Sequence, residues 1–183
     1  ATTAAVQFER VQRLVQKHLP PLLSAVDHQL SSATAKGEAM IDIARPKAAH
    51  RAIDFRPADA TALPFADQSF DLVACQFGAM FFPDKLKGYR EAYRVLKPGG
   101  RLLCSTFLPG TLRELEQCWR TVDDAVHVNR FVDQDTLVAA LQAAGFAQVE
   151  TVQATHTQYY PQLRELAGDL KAIGAHNMNP GQP

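Results

Sequence analysis

The sequence predicts an α/β fold, a doubly wound, mostly parallel sheet with helices on both faces. Two observations carry this. Phe70–Cys75 is short, nearly all apolar and bounded by turn residues, as a strand buried on both faces is. A helical segment and a second apolar run, Arg101–Thr106, follow it. Strand, helix and strand joined by a short turn make a right-handed βαβ unit, which requires parallel strands. Ligands of open parallel sheets lie outside the carboxyl ends of the strands, and Asp59 and Gln76 stand at two such ends.

Taken from the start, Phe8, Val11, Val15 and Leu19 recur on one helical face until Pro20-Pro21 interrupts, and Leu22–Leu30 fits a second short helix. Ser31–Gly37 has no periodicity. Glu38–Arg45 is helical in pattern and ends at Pro46. Ile53–Arg56 alternates as a strand edge does. Gln76–Pro83 is a loop, after which Asp84 caps a helix whose Leu86, Tyr89, Tyr93 and Leu96 share one face. Lys97-Pro98-Gly99-Gly100 stops that helix, because glycine tolerates the positive φ of a tight turn.

Thr111-Leu112-Arg113-Glu114 has the form of a capping box opening a helix that buries Leu112, Leu115, Trp119, Val122 and Val126. Asp133 caps a further helix that ends at Gly145, a good left-handed terminator. Phe146–Thr157 is β-rich and is expected to form a strand. A last helix places Leu163, Leu166, Leu170 and Ile173 on one face and ends at Gly174. The whole is expected to be one domain over 1–183: an N-terminal helical segment 1–30, a core 38–107, and helices with a strand over 108–183.

The 183 residues suffice for one core, and 19 Lys plus Arg balance 19 Asp plus Glu. That neutrality favours neither nucleic acid nor an anionic membrane as partner. No apolar run approaches the ~20 residues of a membrane span, and no signal peptide opens the chain, so a soluble cytoplasmic protein is expected. The three cysteines, Cys75, Cys104 and Cys118, lack metal-type spacing. Two sit in apolar strands, as small core residues of a reducing compartment do. No metal is expected.

Ala58–Phe65, Ser69–Val73 and Arg94–Arg101, in this order and spacing, resemble class I S-adenosylmethionine-dependent methyltransferases. The resemblance implies a Rossmann-like sheet with S-adenosyl-L-methionine as cofactor. It also implies that the Asp59 carboxylate accepts from the adenine amino group and that Ala60 touches adenine through its backbone. Leu63, Gln76 and Phe77 are then the cofactor cleft.

The family's glycine-rich turn after a first strand, and the acid closing its second strand, have no counterpart: Gly37 is the only glycine before Gly78. Ser24–Gly37 is too short for strand, helix and strand. Either the sequence skips segments of a longer domain or the domain is a shortened one. The family's closing strands beyond Pro183 also have no counterpart.

Thr111–Leu115 with Trp119, His127–Phe131, Leu170–Ala175 and Val11-Gln12-Arg13 resemble one branch, the malonyl-acyl-carrier-protein O-methyltransferases of biotin synthesis. The family's tyrosine ahead of the Val11 segment is replaced by Ala5. This branch implies methylation of a malonyl thioester's free carboxylate, with a carrier protein as partner, Arg130 holding that carboxylate and Asn129 beside it. Arg130 could instead pair with Asp133 or Asp135. Arg10, Arg13 and Lys17 could face an acidic carrier protein or simply solvent. A carboxylate is ionised at neutral pH and needs no general base, so His127 and His156 receive no role. Two other readings stay open: a methyltransferase for another small molecule, such as a quinone precursor, and a cofactor-free binding module.

Overall fold

Four short parallel strands, in two pairs, position everything that follows. The computed structural model describes residues 32–35, 41–42, 45–46 and 54–172. Its elements are β1 (Ser32–Ala35), β2 (Asp54–Pro57), β3 (Phe70–Gln76), a 3₁₀ turn (Ala79–Phe81), α1 (Lys85–Val95), β4 (Leu96–Ser105), α2 (Arg113–Trp119), α3 (Gln134–Ala144) and α4 (Leu163–Ala172). Both helices expected before Leu30, Ile53, and the end of the last helix at Ile173–Gly174 lie outside the described residues. Ile41, Asp42, Arg45 and Pro46 are helical, so the helix expected over Glu38–Arg45 includes Pro46. No described helix is long and apolar enough to cross a membrane.

The chain divides into two compact units. One comprises Ala25–Thr111 and Arg130–Glu150, and holds the strands, α1 and α3. Here β1 runs parallel to β2 with Ser32 opposite Asp54, and β3 runs parallel to β4 with Cys75 opposite Cys104. The parallel architecture is therefore as the sequence predicts. β1 arises in the stretch that shows no periodicity, because a four-residue strand is too short to display one. Among the described residues no strand joins β1 to β3. In the doubly wound order 3-2-1-4-5, two consecutive pairs separated in this way leave the position of the first strand between them.

β4 begins at Leu96, directly after α1, rather than at Arg101. The register jumps from Phe70 opposite Leu96 to Leu72 opposite Arg101, so Lys97–Gly100 bulges out of the ladder. Gly99 takes φ 79° in that bulge. The face carrying Cys75, Leu102 and Cys104 packs on α1 and α3 around Ala79, Tyr89, Leu141 and Ala144. Asp84 caps α1 by accepting from the Lys87 N–H at 2.9 Å, and Asp133 caps α3 by accepting from the Thr136 N–H at 2.8 Å. The buried face of α1 is Gly88, Tyr89, Ala92 and Val95. Tyr93 lies at its margin, edge-on to Phe146 with 5.2 Å between centroids. Gly145 ends α3 at φ 117°, its N–H donating to Gln142 O.

The other unit comprises Ala1–Ser24, Leu112–Asn129 and Thr151–Pro183. It contains two corrections. The capping box does not form: Leu112, at φ 57°, is the N-cap of α2 without a side-chain bond, while the Thr111 hydroxyl donates to Leu108 O at 2.8 Å. The hydroxyl bonds a carbonyl of its own turn instead of accepting a free helix N–H, the local competition open to any Ser or Thr. Nor does α2 bury its apolar residues: Trp119 is 38% exposed, Val122 69% and Val126 40%. Trp119 stacks instead on His127 at 4.0 Å, whose Nε2 bonds Asp123 at 2.7 Å.

The strand expected over Phe146–Thr157 is also absent. Phe146 and Val149 pack on the α1–α3 core, while Thr151–Tyr159 is exposed irregular chain. β-propensity without a ladder partner leaves the backbone to water.

A charged clamp ties the segment after β2 to α1. The Arg94 guanidinium donates to both Glu91 carboxylate oxygens at 2.8 Å, to Phe65 O at 2.8 Å, to Leu63 O at 3.0 Å and to Asp67 at 2.7 Å. Glu91 in turn accepts the Leu63 N–H at 2.8 Å. The Arg94 hydrogen bonds, with help from Leu63, hold the Glu91 carboxyl below its ordinary range. A depressed carboxyl stabilises the fold above its unfolded pKa, ~4.3, and that contribution is lost as pH falls through the lower folded value. Arg94→Ala is expected to reduce unfolding free energy at neutral pH by roughly 1–3 kcal/mol. In urea titrations the deficit will stay constant above about pH 5 and narrow below it; a deficit unchanged in acid would show that Glu91 is not the partner that matters.

Candidate functional site

The candidate site forms where β2, β3 and β4 end. β2 passes into Ala58-Asp59-Ala60, a turn fixed from within. The Asp59 Oδ1 accepts from the Thr61 N–H at 2.8 Å and the Thr61 hydroxyl at 2.9 Å, and Asp59 O accepts from the Ala62 N–H at 3.0 Å. This is an Asx turn, the local bond pattern aspartate offers its own backbone. Thr61 is buried while the Asp59 residue as a whole is exposed. Anchoring by Thr61 sets the direction of the carboxylate. Ala60 and Leu63 are half-buried, and the Arg94–Glu91 clamp grips Leu63 by both backbone groups.

At the end of β3, Gln76 is exposed and Phe77 takes φ 51°, a left-handed conformation rare for an aromatic residue. It is held there by its N–H, which donates to Ser105 O at 3.0 Å and Ser105 Oγ at 3.2 Å across the tip of β4. Backbone strain maintained by surrounding bonds in this way gathers at functional sites. The Phe77 ring stacks on Phe107 at 4.7 Å, and Phe107 meets Phe131 edge-on at 5.6 Å.

This aromatic relay brings in the returning chain. Arg130 directly precedes Phe131 in the chain and is exposed, 53 residues on from Phe77. Neither suspected partner pairs with it: Asp133 spends its carboxylate on the Thr136 N–H and hydroxyl, and among the described residues no ion pair involves Arg130. Asn129 is exposed and falls in the other unit. Asp59, Ala60, Leu63, Gln76, Phe77 and Arg130 thus belong to one unit.

Sequence reading overlooked Phe107, Ser105 and the Glu91–Arg94 clamp. Phe107 had a signal, an aromatic residue just past a strand's carboxyl end. The clamp had none, since its partners lie about 30 residues apart.

Comparison with known proteins follows the same outline. A family described as a methyltransferase domain matches residues 31–104. The biotin biosynthesis bifunctional protein BioHC of Cellvibrio japonicus is 43% identical over 145 residues, covering 79% of this chain and 29% of that protein. The malonyl-[acyl-carrier protein] O-methyltransferase of Hahella chejuensis is 39% identical over 126 residues, 69% of this chain and 45% of that one. The chain therefore spans less than half the length of these relatives. Among solved structures, an S-adenosylmethionine-dependent methyltransferase from Thermotoga maritima superposes with TM-score 0.52 at 26% identity, covering 63% of this chain and 54% of its own. One from Methanosarcina mazei, at 20% identity and TM-score 0.51 over 62% of this chain and 67% of its own, shares the fold.

Phe107→Ala removes the middle ring of the relay. It is expected to reduce stability by about 2 kcal/mol, under the 3–5 kcal/mol of a fully buried Phe, and to speed hydrogen exchange at the Phe77 amide. Protection at Phe77 equal to wild type would show that Ser105 alone holds this backbone.

Proposed function

We propose that this chain, which is similar to S-adenosylmethionine-dependent methyltransferases, is one of them and O-methylates the free carboxylate of a malonyl group carried as a thioester on an acyl-carrier protein. The observation that supports the acceptor half of this reading is the aromatic relay, whose last ring, Phe131, is preceded in the chain by an exposed arginine without a described carboxylate partner. Two relatives' names, covering malonyl-carrier methylation and biotin biosynthesis, support it.

The residues present suit the purine end of S-adenosyl-L-methionine. Asp59 would accept from the adenine amino group, Ala60 would contact the ring through its backbone, and Leu63, Gln76 and Phe77 would line the cleft. The grips for the other end are missing from these residues: β1 closes at Ala35 rather than at an acid, and no glycine-rich turn precedes Gly78. When bound, the cofactor supplies an electrophilic methyl group on a sulfonium sulfur.

The chain's own contribution is positioning. A malonyl carboxylate is already an anion at neutral pH, so no residue has to remove a proton. The planar Arg130 fork would hold it through two parallel hydrogen bonds. Holding the reacting oxygen in line substitutes for lost entropy, and the Phe77, Phe107 and Phe131 rings keep competing water from the flank. The missing glycine turn favours a second reading, a binding module that holds an acyl partner without cofactor.

Calorimetry with S-adenosyl-L-methionine separates the two. Binding is expected, and Asp59→Ala is expected to weaken it by roughly 1–3 kcal/mol, about tenfold to a hundredfold. No heat from the wild type would overturn the enzyme reading. With labelled cofactor and malonyl-carrier protein, Arg130→Ala is expected to reduce turnover by about tenfold to a hundredfold, as loss of a hydrogen bond to a charged group does; unchanged turnover would remove Arg130 from its role.

A further inference from the structure

Cys75 and Cys104 are register partners on the parallel strands β3 and β4, so their side chains leave the same face of the sheet side by side. Neighbouring strands lie about 4.8 Å apart, inside the Cα separation of about 4.4–6.8 Å that a disulfide spans. The Cys104 thiol and the Gly78 and Ala79 backbone N–H groups are the polar groups that act on the Cys75 sulfur. Gly78 makes room for this sulfur: a Cβ there would stand 3.1 Å from the Cys75 Sγ. Both cysteines are free and only partly buried, whereas Cys118 is exposed in the other unit.

We propose that Cys75 and Cys104 form a reversible thiol–disulfide site at the carboxyl tip of the β3–β4 pair, with Cys75 as the attacking thiol and Cys104 as the resolving one. The two thiols have different surroundings. The neighbouring Cys104 thiol and the Gly78 and Ala79 N–H groups outweigh burial and bring the Cys75 thiol down to about 7, while the neighbouring Cys75 and burial push Cys104 up. A thiol with pKa near ambient pH is the best placed to attack. With hydrogen peroxide as oxidant, the Cys75 thiolate takes one peroxide oxygen, giving a sulfenic acid and, after proton uptake, water. The Cys104 sulfur then attacks the Cys75 sulfur, and the departing hydroxyl leaves with the Cys104 proton as a second water. Two thiols lose two electrons and two protons, and one peroxide becomes two waters.

The bond would close one residue before Gln76 and Phe77, on the strand tips that Phe77 and Ser105 already tie together. It does not depend on which acceptor the chain methylates.

The test uses the full chain treated with hydrogen peroxide, alkylated without reductant and cleaved with trypsin. The free thiols are expected to fall from three to one. The peptides carrying Cys75 and Cys104 should appear joined, two hydrogens lighter than their sum, and separate again with dithiothreitol. Cys75→Ser and Cys104→Ser are expected each to abolish the joined species, and Cys118→Ser to leave it unchanged. The same treatment in urea, where proximity is lost, is expected to scatter the pairing among all three cysteines. Three thiols remaining, Cys75 passing on to sulfinic acid with Cys104 still alkylated, or a native pair that includes Cys118 would each overturn the proposal.

Discussion

One guanidinium decides whether this unit has a site at all. The stretch from Ala58 to Ser69 contains little regular structure, only a bridge between Asp59 and Ala62. Left to its own turns it would cost backbone entropy at every residue with little burial in return. Arg94 meets this by receiving the Leu63 and Phe65 carbonyls and the Asp67 carboxylate on one rigid fork. Lysine, a single point charge on a flexible stem, could not bond five acceptor atoms of four residues at fixed angles. Glu91 completes the clamp by orienting that fork and capturing the Leu63 N–H. Because α1 is itself held by Tyr89, Ala92 and Val95 in the core, the turn carrying Asp59 inherits the rigidity of the α1–α3 packing.

The opposite side of the site is fixed by different physics. Phe77 is kept in a left-handed conformation by two bonds to Ser105, and its ring is stacked rather than charged. The relay through Phe107 to Phe131 is the means by which a chain that has left the strand edge at β4 comes back to it. Charge would be a poor tether there, since an exposed ion pair contributes little and is screened by salt. Aromatic contacts hold position without consuming the Arg130 charge.

What the sequence made legible was whatever is decided within a few residues. The Asp84 and Asp133 caps, the Gly145 terminator and the positive φ of Gly99 each depend on local backbone geometry, and each is found as expected. The strand β3 was legible from its continuous apolar run, but the burial on both faces that such a run predicts is not found: Asp71, Ala74 and Gln76 are exposed and the others half-buried. The failures share the converse cause. Thr111 donates to Leu108 O instead of accepting a free helix N–H, and Phe146–Thr157 had the composition of a strand but no ladder partner among the described residues. The clamp and the aromatic relay are long-range, and residue types alone do not announce such partners. Asp59, Gln76 and Phe77 were placed by motif and topology, whereas the route by which Arg130 arrives was invisible until Phe131 was seen against Phe107.

The interruption of the sheet ties these threads together. β1–β2 and β3–β4 are each consecutive parallel pairs, and the doubly wound order sets one further strand between them. That strand's carboxyl end is where a glycine turn would bring backbone N–H groups to a ligand's polar tail. The sequence carries no glycine-rich turn before Gly78, and among the described residues no strand takes that position. The candidate site takes its supports from other elements: Asp59 leans on Thr61, the segment after it on Arg94, and Phe77 on Ser105. A half-site whose supports are independent of that strand position keeps its shape whatever stands there.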